Sequence, residues 1–359
     1  MLKMAEPIIH HRHPEFQALF ARVNKNLQYL FQTKNDVLTL TSSGTGAMEA
    51  AACNLQNEGD TALFVNGGKF GERWGELLRV YGVSAVEITV EWGQAVSPEK
   101  IIDALKTNPA INAVYLTHSE TSTGAATDVK AIAAAVRKQS DALIIVDGIT
   151  AVGAMEIRMD DWGIDAVATG SQKGLMVPPG LAFIALSERA WKRVGQSKLP
   201  KFYFDLTVAR KSIATNDTPW TPAISLLIGV DAALEMIRSE GIEQVWARHE
   251  RLARSVRSAV QALGMKVLSS SPSNALTAVL IPDGLDAKKF NKILKETYKI
   301  TVAGGQGHLK GKIFRISHLG YYDELEMVAL VSALELTLRD CGYKFEPGAG
   351  VKAAQQAFF

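Results

Sequence analysis

The sequence predicts an α/β protein with a mostly parallel sheet covered by helices and a smaller C-terminal α/β domain. Two observations support this prediction. Residues 36–187 alternate short apolar runs with helical patterns, as parallel strands joined by crossover helices do. At 359 residues the chain is too long for one small core and suits two domains.

We assign residues 1–240 to the large domain, with 1–14 as a segment expected to pack on a partner subunit. Its strands are short apolar runs that follow polar turns, and its helices show helical periodicity. The predicted strands are 36–41, 62–65, 113–116, 143–146 and 166–168, and the predicted helices are 47–52, 98–105 and 130–138.

Residues 224–264 indicate two long helices broken at Gly241, so the small domain is assigned to 241–359. Its pattern predicts strands at 276–281 and 313–316 and helices at 287–298 and 324–339. The final stretch, 348–359, is expected to be a loose tail.

Composition excludes several classes of function. The apolar fraction is 47% and the net charge is +2, which suits a globular protein without the basic field that nucleic-acid binding requires. Two distant cysteines, Cys53 and Cys341, cannot build a disulfide framework and indicate a reducing compartment. No membrane span or secretory signal is predicted, so we expect a cytoplasmic protein.

The three histidines His10, His11 and His13 precede Pro14 at the polar start of a predicted helix. They could suggest a metal site, but surface histidines at a helix start are the simpler interpretation. We predict no bound metal.

A lysine and an acid give the clearest functional signal. Lys173 lies among small polar residues in 169–174, and Asp147 closes the apolar run 143–146. Taken singly, the acid could be a helix cap and the lysine a surface charge. Together they are the pair that a pyridoxal phosphate (PLP) enzyme needs. The amine forms a Schiff base, and the carboxylate keeps a proton on the pyridine nitrogen.

The segment Ser43-Gly44-Thr45 joins a short predicted strand to a predicted helix. Free backbone N–H groups, the positive end of the helix dipole and two hydroxyls would make an anion site there. A helix cap with glycines in a tight turn is the plainer alternative. The carboxyl ends of parallel strands meet at one edge, so this turn and Asp147 should share a pocket.

These segments occur in the order found in a known family. The motifs are Ser-Gly-Thr at 43–45, Glu-Thr-Ser-Thr-Gly at 120–124, Val-Asp-Gly at 146–148, Gly-Ser-Gln-Lys at 170–173 and Phe-Arg-Ile-Ser-His-Leu-Gly at 314–320. The chain therefore resembles the class V, fold type I, PLP-dependent aminotransferases. The resemblance is to the alanine–glyoxylate, serine–glyoxylate and serine–pyruvate branch, and it covers nearly the whole length.

The resemblance implies a role for each matching residue. Lys173 would be the Schiff-base lysine and proton carrier, and Asp147 the partner of the pyridinium nitrogen. Arg315 would bind the substrate carboxylate. The other implied cofactor residues are Ser43, Gly44, Thr45 and Gln172 at the phosphate, Thr121 beside the phenolic oxygen and Phe70 over the ring.

The resemblance also implies a homodimer whose active sites are shared, because a threonine of the neighbouring subunit reaches the phosphate in this family. Thr218 and Thr221 are both candidates, and the family's tyrosine has no clear counterpart. The chain departs from the family at its start. The family usually opens with a Gly/Pro-rich segment, and residues 1–7 look like a helix that comes just after that segment.

The implied reaction is a ping-pong transfer of an amino group from alanine or serine to glyoxylate or pyruvate. The count of arginines agrees with small uncharged donors, because a second carboxylate would need a second cation. Arg73 and Arg210 are the nearest candidates for that second cation, and each is interpreted as a solvated charge.

Other PLP reactions compete with this prediction. A cysteine desulfurase needs a mobile nucleophilic cysteine, and neither Cys53 nor Cys341 lies on a suggestive loop. An aspartate or phosphonate-type aminotransferase and a lyase stay open. A non-catalytic subunit of a redox complex is a further alternative from a different class, which the intact PLP motifs disfavour.

Overall fold

A seven-stranded sheet forms the centre of the first two thirds of the chain in the computed structural model, which describes residues 1–359. The strand order is β1-β9-β8-β7-β4-β2-β3, and β5 and β6 form a separate two-stranded ribbon. The strands are β1 (Val37–Leu40), β2 (Thr61–Asn66), β3 (Ser84–Thr89), β4 (Ile111–Thr117), β5 (Ser119–Glu120), β6 (Ala125–Ala126), β7 (Leu143–Asp147), β8 (Ala166–Gly170) and β9 (Ala182–Leu186). Within the seven-stranded sheet, β9 is antiparallel to both of its neighbours, β1 and β8, and all other pairs are parallel. The predicted mostly parallel sheet is confirmed.

Helices cover both faces of this sheet. Alternate residues of one buried strand enter different apolar layers, as for Ile144 and Ile145 of β7. This pattern explains why the central strands are continuous apolar runs. The helices up to residue 262 are α1 (Pro14–Phe31), α2 (Gly44–Leu55), α3 (Lys69–Val80), α4 (Pro98–Thr107), α5 (Val129–Gln139), α6 (Glu188–Val194), α7 (Leu206–Ile213), α8 (Ile224–Glu240) and α9 (Ile242–Ala262).

The C-terminal part of the chain contains a second, three-stranded antiparallel sheet with the order β10-β12-β11. This sheet packs against α9 and the later helices. The break at Gly241 lies where it was predicted, although the division into domains there stays a prediction. The elements are β10 (Leu276–Leu280), α10 (Ala287–Glu296), β11 (Ala303–Gly304), β12 (Ile313–Ser317), α11 (Glu324–Asp340) and α12 (Ala349–Gln356).

The expectation of a loose tail at 348–359 is wrong. Helix α12 packs on α9, with Ala354 fully buried beside Ala259. Gly350 approaches so closely that a Cβ there would lie 2.9 Å from Leu263 Cγ. The interface uses small residues, so the segment has little of the large apolar content that signals a buried helix in a sequence.

The beginning of the chain forms a 3₁₀ turn over Leu2–Ala5 in place of the expected helix. Met4 packs against Gly229 of α8 in the same chain. The packing of 1–14 on a partner subunit stays a prediction. No helix in the structure is both long enough and apolar enough to cross a lipid bilayer.

Candidate active site

Lys173 lies in a turn that follows β8. Its neighbour Ser171 fixes this turn, because the Ser171 hydroxyl donates to Pro178 O at 2.8 Å and the Ser171 amide donates to Leu181 O at 2.9 Å. Burial lowers the pKa of the Lys173 amine below its usual value. The charge of Asp147 opposes this shift, and the charge of Arg315 adds to it.

Asp147 is the last residue of β7, the strand beside β8, and only 3% of its surface is exposed. Its Oδ1 accepts a hydrogen bond from Ile149 N at 2.8 Å. Burial raises the pKa of the Asp147 carboxyl to about 7, opposed by the Ile149 hydrogen bond and by the charges of Arg73 and Lys173. The parallel pairing of β7 and β8 thus brings the acid and the lysine to one edge of the sheet.

The Ser43-Gly44-Thr45 turn begins α2, as predicted. Ser43 is the N-cap residue, yet its side chain makes no capping hydrogen bond. Gly44 packs tightly, because a Cβ there would lie 2.6 Å from Ile149 Cδ1. The turn is therefore held directly against the residues that follow Asp147.

Gln172 completes this group from the other side. A Cβ on Gly170 would lie 2.9 Å from Gln172 Oε1 and 3.3 Å from Gly44 N, so the amide of Gln172 lies beside the start of α2. Gln172 Oε1 is buried without a hydrogen-bond partner. A serine hydroxyl free of capping, a helix N-terminus and an amide in one cradle are the donor set that fits a phosphate group.

Phe70 lies in the first turn of α3, and Arg73 follows one turn later. The Arg73 guanidinium lies 4.9 Å from the centre of the Phe70 ring, and its Nη1 donates to Thr45 Oγ1 at 3.2 Å. The expectation that Arg73 is a solvated charge is therefore wrong. Its spacing of three from Phe70 places the two side chains on one helix face and could have indicated this position.

Arg210 differs from Arg73. It pairs with Glu188 and Asp36 and stacks on Trp191. Its side chain is 39% exposed, which agrees with the expected solvated charge. Only one of the two suspect arginines therefore joins the candidate site.

Thr121 follows β5 and contacts two parts of the site. Its hydroxyl hydrogen-bonds with the hydroxyl of Thr150 at 2.7 Å, and its carbonyl accepts a hydrogen bond from Arg315 Nη1 at 2.7 Å. Arg315 Nε donates to Gly304 O at 3.0 Å. These two contacts leave the Nη2 group and one Nη1 hydrogen without a hydrogen-bond partner in the protein.

Arg315 lies on β12, which is the middle strand of the small sheet and not an edge strand. Burial lowers the pKa of the Arg315 guanidinium, and the charge of Glu120 opposes that shift. The arginine thus extends from the small sheet to the loop after β4 of the large one.

Thr218 and Thr221 make no hydrogen bond with the other predicted cofactor residues within one chain. Thr218 bonds locally, with its Oγ1 donating to Trp220 O at 2.7 Å, and Thr221 is exposed. Trp220 stacks on Phe202, a side chain that is 77% exposed. This segment therefore presents an apolar surface beside both threonines.

Comparison with known proteins gives a consistent result. The family model of class V aminotransferases matches residues 4–331. The chain is 44% identical to a protein of Synechococcus sp. named as the small subunit of a soluble hydrogenase, over 99% of this chain and 94% of that protein. It is 35% identical to an L-aspartate–glyoxylate aminotransferase of Paracoccus denitrificans (98% and 91%) and 36% identical to a serine–glyoxylate aminotransferase of Methylorubrum extorquens (96% and 89%).

Among solved structures, the ureidoglycine–glyoxylate aminotransferase of Bacillus subtilis superposes with a TM-score of 0.94. The sequences are 29% identical over 99% of this chain and 94% of that chain. The seven-stranded sheet and the small antiparallel sheet therefore form the fold type I architecture of the PLP aminotransferases, as the sequence motifs predicted.

Proposed function

The chain belongs to the class V aminotransferases, which depend on PLP, and we propose that it transfers the amino group of alanine or serine to glyoxylate or pyruvate. One observation carries this proposal. Asp147 ends β7, and Lys173 lies in the turn after the neighbouring strand β8. Arg315 donates to Thr121 O, and the Thr121 hydroxyl contacts Thr150, which follows Asp147 closely in the chain. Lys173, Asp147 and Arg315 would be the base, the cofactor partner and the carboxylate anchor that transamination needs.

We assign the cofactor cradle to residues from both sides of the turn at α2. Ser43, Gly44, Thr45 and Gln172 would hold the phosphate, with Phe70 against the ring and Thr121 beside its phenolic oxygen. The support is the donor set, which consists of the Ser43 hydroxyl that makes no capping hydrogen bond and the N-terminus of α2. When bound, PLP supplies an aldehyde that condenses with amines and a ring that accepts electrons.

Lys173 would take the proton from the α-carbon of the amino donor in the first half of the reaction and give a proton to the α-carbon of the acceptor in the second half. A base must be neutral to accept a proton, and burial favours the neutral amine here. The hydrogen bond of Ser171 to Pro178 O fixes the turn that carries this lysine.

Asp147 would hold a proton on the pyridine nitrogen. In the protein alone its carboxyl has a pKa of about 7, because burial disfavours the charge. A pyridinium placed against it would stabilise the carboxylate and lower that pKa. The two groups would therefore share a proton tightly in a site from which water is excluded.

Arg315 would fix the α-carboxylate of the substrate. Its Nε and one Nη1 hydrogen bond are already used by carbonyl oxygens, so the guanidinium plane is set before the substrate arrives. A planar fork held in this way favours a bidentate carboxylate and adds little entropic cost on binding.

Glyoxylate as acceptor is supported by the names of two relatives, and serine as donor is supported by the name of one of them. Steady-state rates with alanine, serine, aspartate and glutamate, each with glyoxylate and with 2-oxoglutarate, test the assignment. We expect alanine or serine with glyoxylate to give the highest kcat/KM. A clear preference for aspartate or glutamate contradicts the donor assignment while leaving the transaminase reaction intact.

Aspartate is the second candidate donor, because Arg73 places a further cation at the site and one relative is named for aspartate. The variant Arg73→Gln separates the possibilities, with Arg210→Gln as control because Arg210 also stacks on an aromatic ring but pairs elsewhere. Loss of the aspartate reaction alone would assign Arg73 to the second carboxylate. Equal loss with every donor would assign it to the cofactor.

The hydrogenase name of one relative suggests a subunit of a redox complex as another function. The complete set of Lys173, Asp147 and Arg315 favours an active transaminase. Purified protein should be yellow, and its visible absorbance should change when the true amino donor is added. Protein that neither binds PLP nor responds to any amino acid would contradict the transaminase proposal.

We also propose a homodimer in which Thr218 or Thr221 of one subunit serves the site of the other. The exposed apolar surface of Phe202 and Trp220 beside them suits an interface. Mixing Lys173→Ala with a Thr218→Ala, Thr221→Ala double variant tests this. A hybrid dimer regains one intact site only if the threonines act across subunits, so the mixture should recover activity; no recovery after subunit exchange contradicts the proposal.

A further inference from the structure

Glu120 is a buried acid that the proposed mechanism does not use. It belongs to β5, directly before Thr121, and only 5% of its surface is exposed. Burial raises the pKa of its carboxyl, and its hydrogen bonds oppose that shift. A buried carboxylate is costly unless donors surround it, so its partners indicate what it does.

The donors come from two segments. Glu120 Oε2 accepts hydrogen bonds from Phe70 N at 3.1 Å and from Gly71 N at 2.9 Å. Glu120 Oε1 accepts from the backbone and the hydroxyl of Ser122, at 3.1 and 2.5 Å. The first two donors are unpaired N–H groups of the first turn of α3, where a negative charge is favoured by the helix dipole.

This arrangement is tightly enclosed. Gly68 precedes α3 and provides no side-chain cap. A Cβ at Gly68 would lie 2.5 Å from Glu120 Cδ and 2.4 Å from Ser122 Oγ. Ser122 Oγ also accepts a hydrogen bond from Lys69 N at 3.0 Å. The carboxylate therefore joins the start of α3 to the 120–124 turn with little room for adjustment.

Each of these segments carries one wall of the site. The start of α3 carries Phe70, and the 120–124 turn carries the Thr121 carbonyl that receives Arg315. The backbone of Glu120 also closes that turn by accepting from Gly124 N at 2.8 Å. Moving Glu120 would therefore move the aromatic wall and the arginine anchor together.

We propose that Glu120 is a positioning residue that fixes Phe70 relative to Arg315, and so couples the cofactor wall to the carboxylate site. This inference depends on the proposed function for the roles of those two residues. It predicts that the Glu120 carboxylate does not contact the substrate and instead affects binding by holding the start of α3 against the 120–124 turn.

The variant Glu120→Gln tests the inference, because it keeps the size of the side chain but replaces one acceptor with an NH₂ group that faces N–H donors. We expect KM for the amino donor to rise about tenfold with a smaller change in kcat, because the start of α3 and the 120–124 turn lose the charged acceptor that joins them. Hydrogen exchange at the Phe70 and Gly71 amides should also become faster in cofactor-free protein. Glu49→Gln is the control, since Glu49 accepts from Tyr81 at 2.8 Å outside this group.

A Glu120→Gln protein with lower thermal stability but wild-type KM, exchange rates and circular dichroism of bound cofactor would overturn the proposal. If that variant does not fold, Ser122→Ala removes one donor to Glu120 and should raise KM in the same direction by a smaller factor. An unchanged KM in folded Ser122→Ala would likewise overturn it. Wild-type protein that fails to bind PLP would contradict the proposed function instead. The amide exchange measurement would still test the role of Glu120, because it uses cofactor-free protein.

Discussion

The two halves of the candidate site are built differently. Asp147 and the turn of Lys173 follow neighbouring strands of the large sheet, which is buried on both faces. Arg315 comes from the three-stranded sheet and donates to Thr121 O, in the turn after β5. The strand ends fix the first half directly, whereas the second half depends on how two sheets dock.

The continuation of the Arg315 strand is fixed by a helix that packs with the small sheet. Gly320 N donates to His249 Nε2 at 3.0 Å, and Gly320 O accepts from Arg248 Nη1 at 2.7 Å. Both partners lie on α9. Changes in the strand-end half should therefore affect chemistry, and changes in the docked half should affect substrate binding first.

The largest expected effect is that of Lys173→Ala. Loss of the general base alone should slow turnover by about 10²–10⁴-fold, and the lysine-linked absorbance of the cofactor should disappear. Lys201→Ala is a matched control, because Lys201 Nζ is also partly buried and hydrogen-bonds to Leu199 O at 3.0 Å. If borohydride still fixes the cofactor to the Lys173→Ala protein, the assignment of the lysine is wrong.

The variant Asp147→Asn should slow turnover by about 100-fold, which corresponds to roughly 3 kcal/mol of lost transition-state stabilisation. The same variant should stabilise the folded protein, although it slows the reaction. The pKa of Asp147 is raised to about 7 in the folded protein, so the folded state holds this proton more tightly than the unfolded state. Stability from this group is present below pH 4 and is lost as the pH rises through 7.

Relative to wild type, the free energy of unfolding of cofactor-free Asp147→Asn protein should therefore rise by roughly 2–4 kcal/mol as the pH increases from 4 to 8. Urea unfolding at several pH values measures this gain. Asp128→Asn, at the exposed N-cap of α5, should show no such trend. Equal pH profiles for Asp147→Asn and wild type would contradict the burial of a titrating carboxyl.

The variant Arg315→Lys tests the docked half. Lysine cannot keep both carbonyl contacts and a two-point carboxylate bond, so KM for the donor should rise by about 10–100-fold with cofactor affinity unchanged. Arg257→Lys is the control, because Arg257 also donates to a backbone carbonyl, Ser273 O at 3.1 Å. A loss of cofactor binding in Arg315→Lys would show that the two halves are not separable.

The smallest expected effect on activity is that of Gly350→Val in α12. A larger side chain there meets Leu263 and should lower the free energy of unfolding by about 1–3 kcal/mol. Below the melting temperature, kcat should match wild type, because α12 packs on α9 and not on the strand ends. Lys352→Val places the same residue at an exposed position of α12 as control. A fall in kcat larger than the fall in stability would link the C-terminal helix to the site.

The sequence by itself determined the parallel α/β sheet, because buried strands are continuous apolar runs and crossover helices have their own period. It also determined the strand ends that carry Asp147 and Lys173, since an acid or lysine at the end of an apolar run is a local feature. The roles given to Ser43, Thr121, Gln172 and Arg315 stay predictions, and the structure brings these residues into one region.

Only the tertiary structure decided the rest. Arg73 has the sequence surroundings of a surface charge, and its contact with Thr45 arises because α2 and α3 pack side by side. The helix at 349–356 is held by contacts of small residues with α9, which leave no apolar pattern to detect. Glu120 gains its five hydrogen bonds from a helix fifty residues earlier and from its own turn, and such long-range satisfaction of a buried charge cannot be inferred from local sequence.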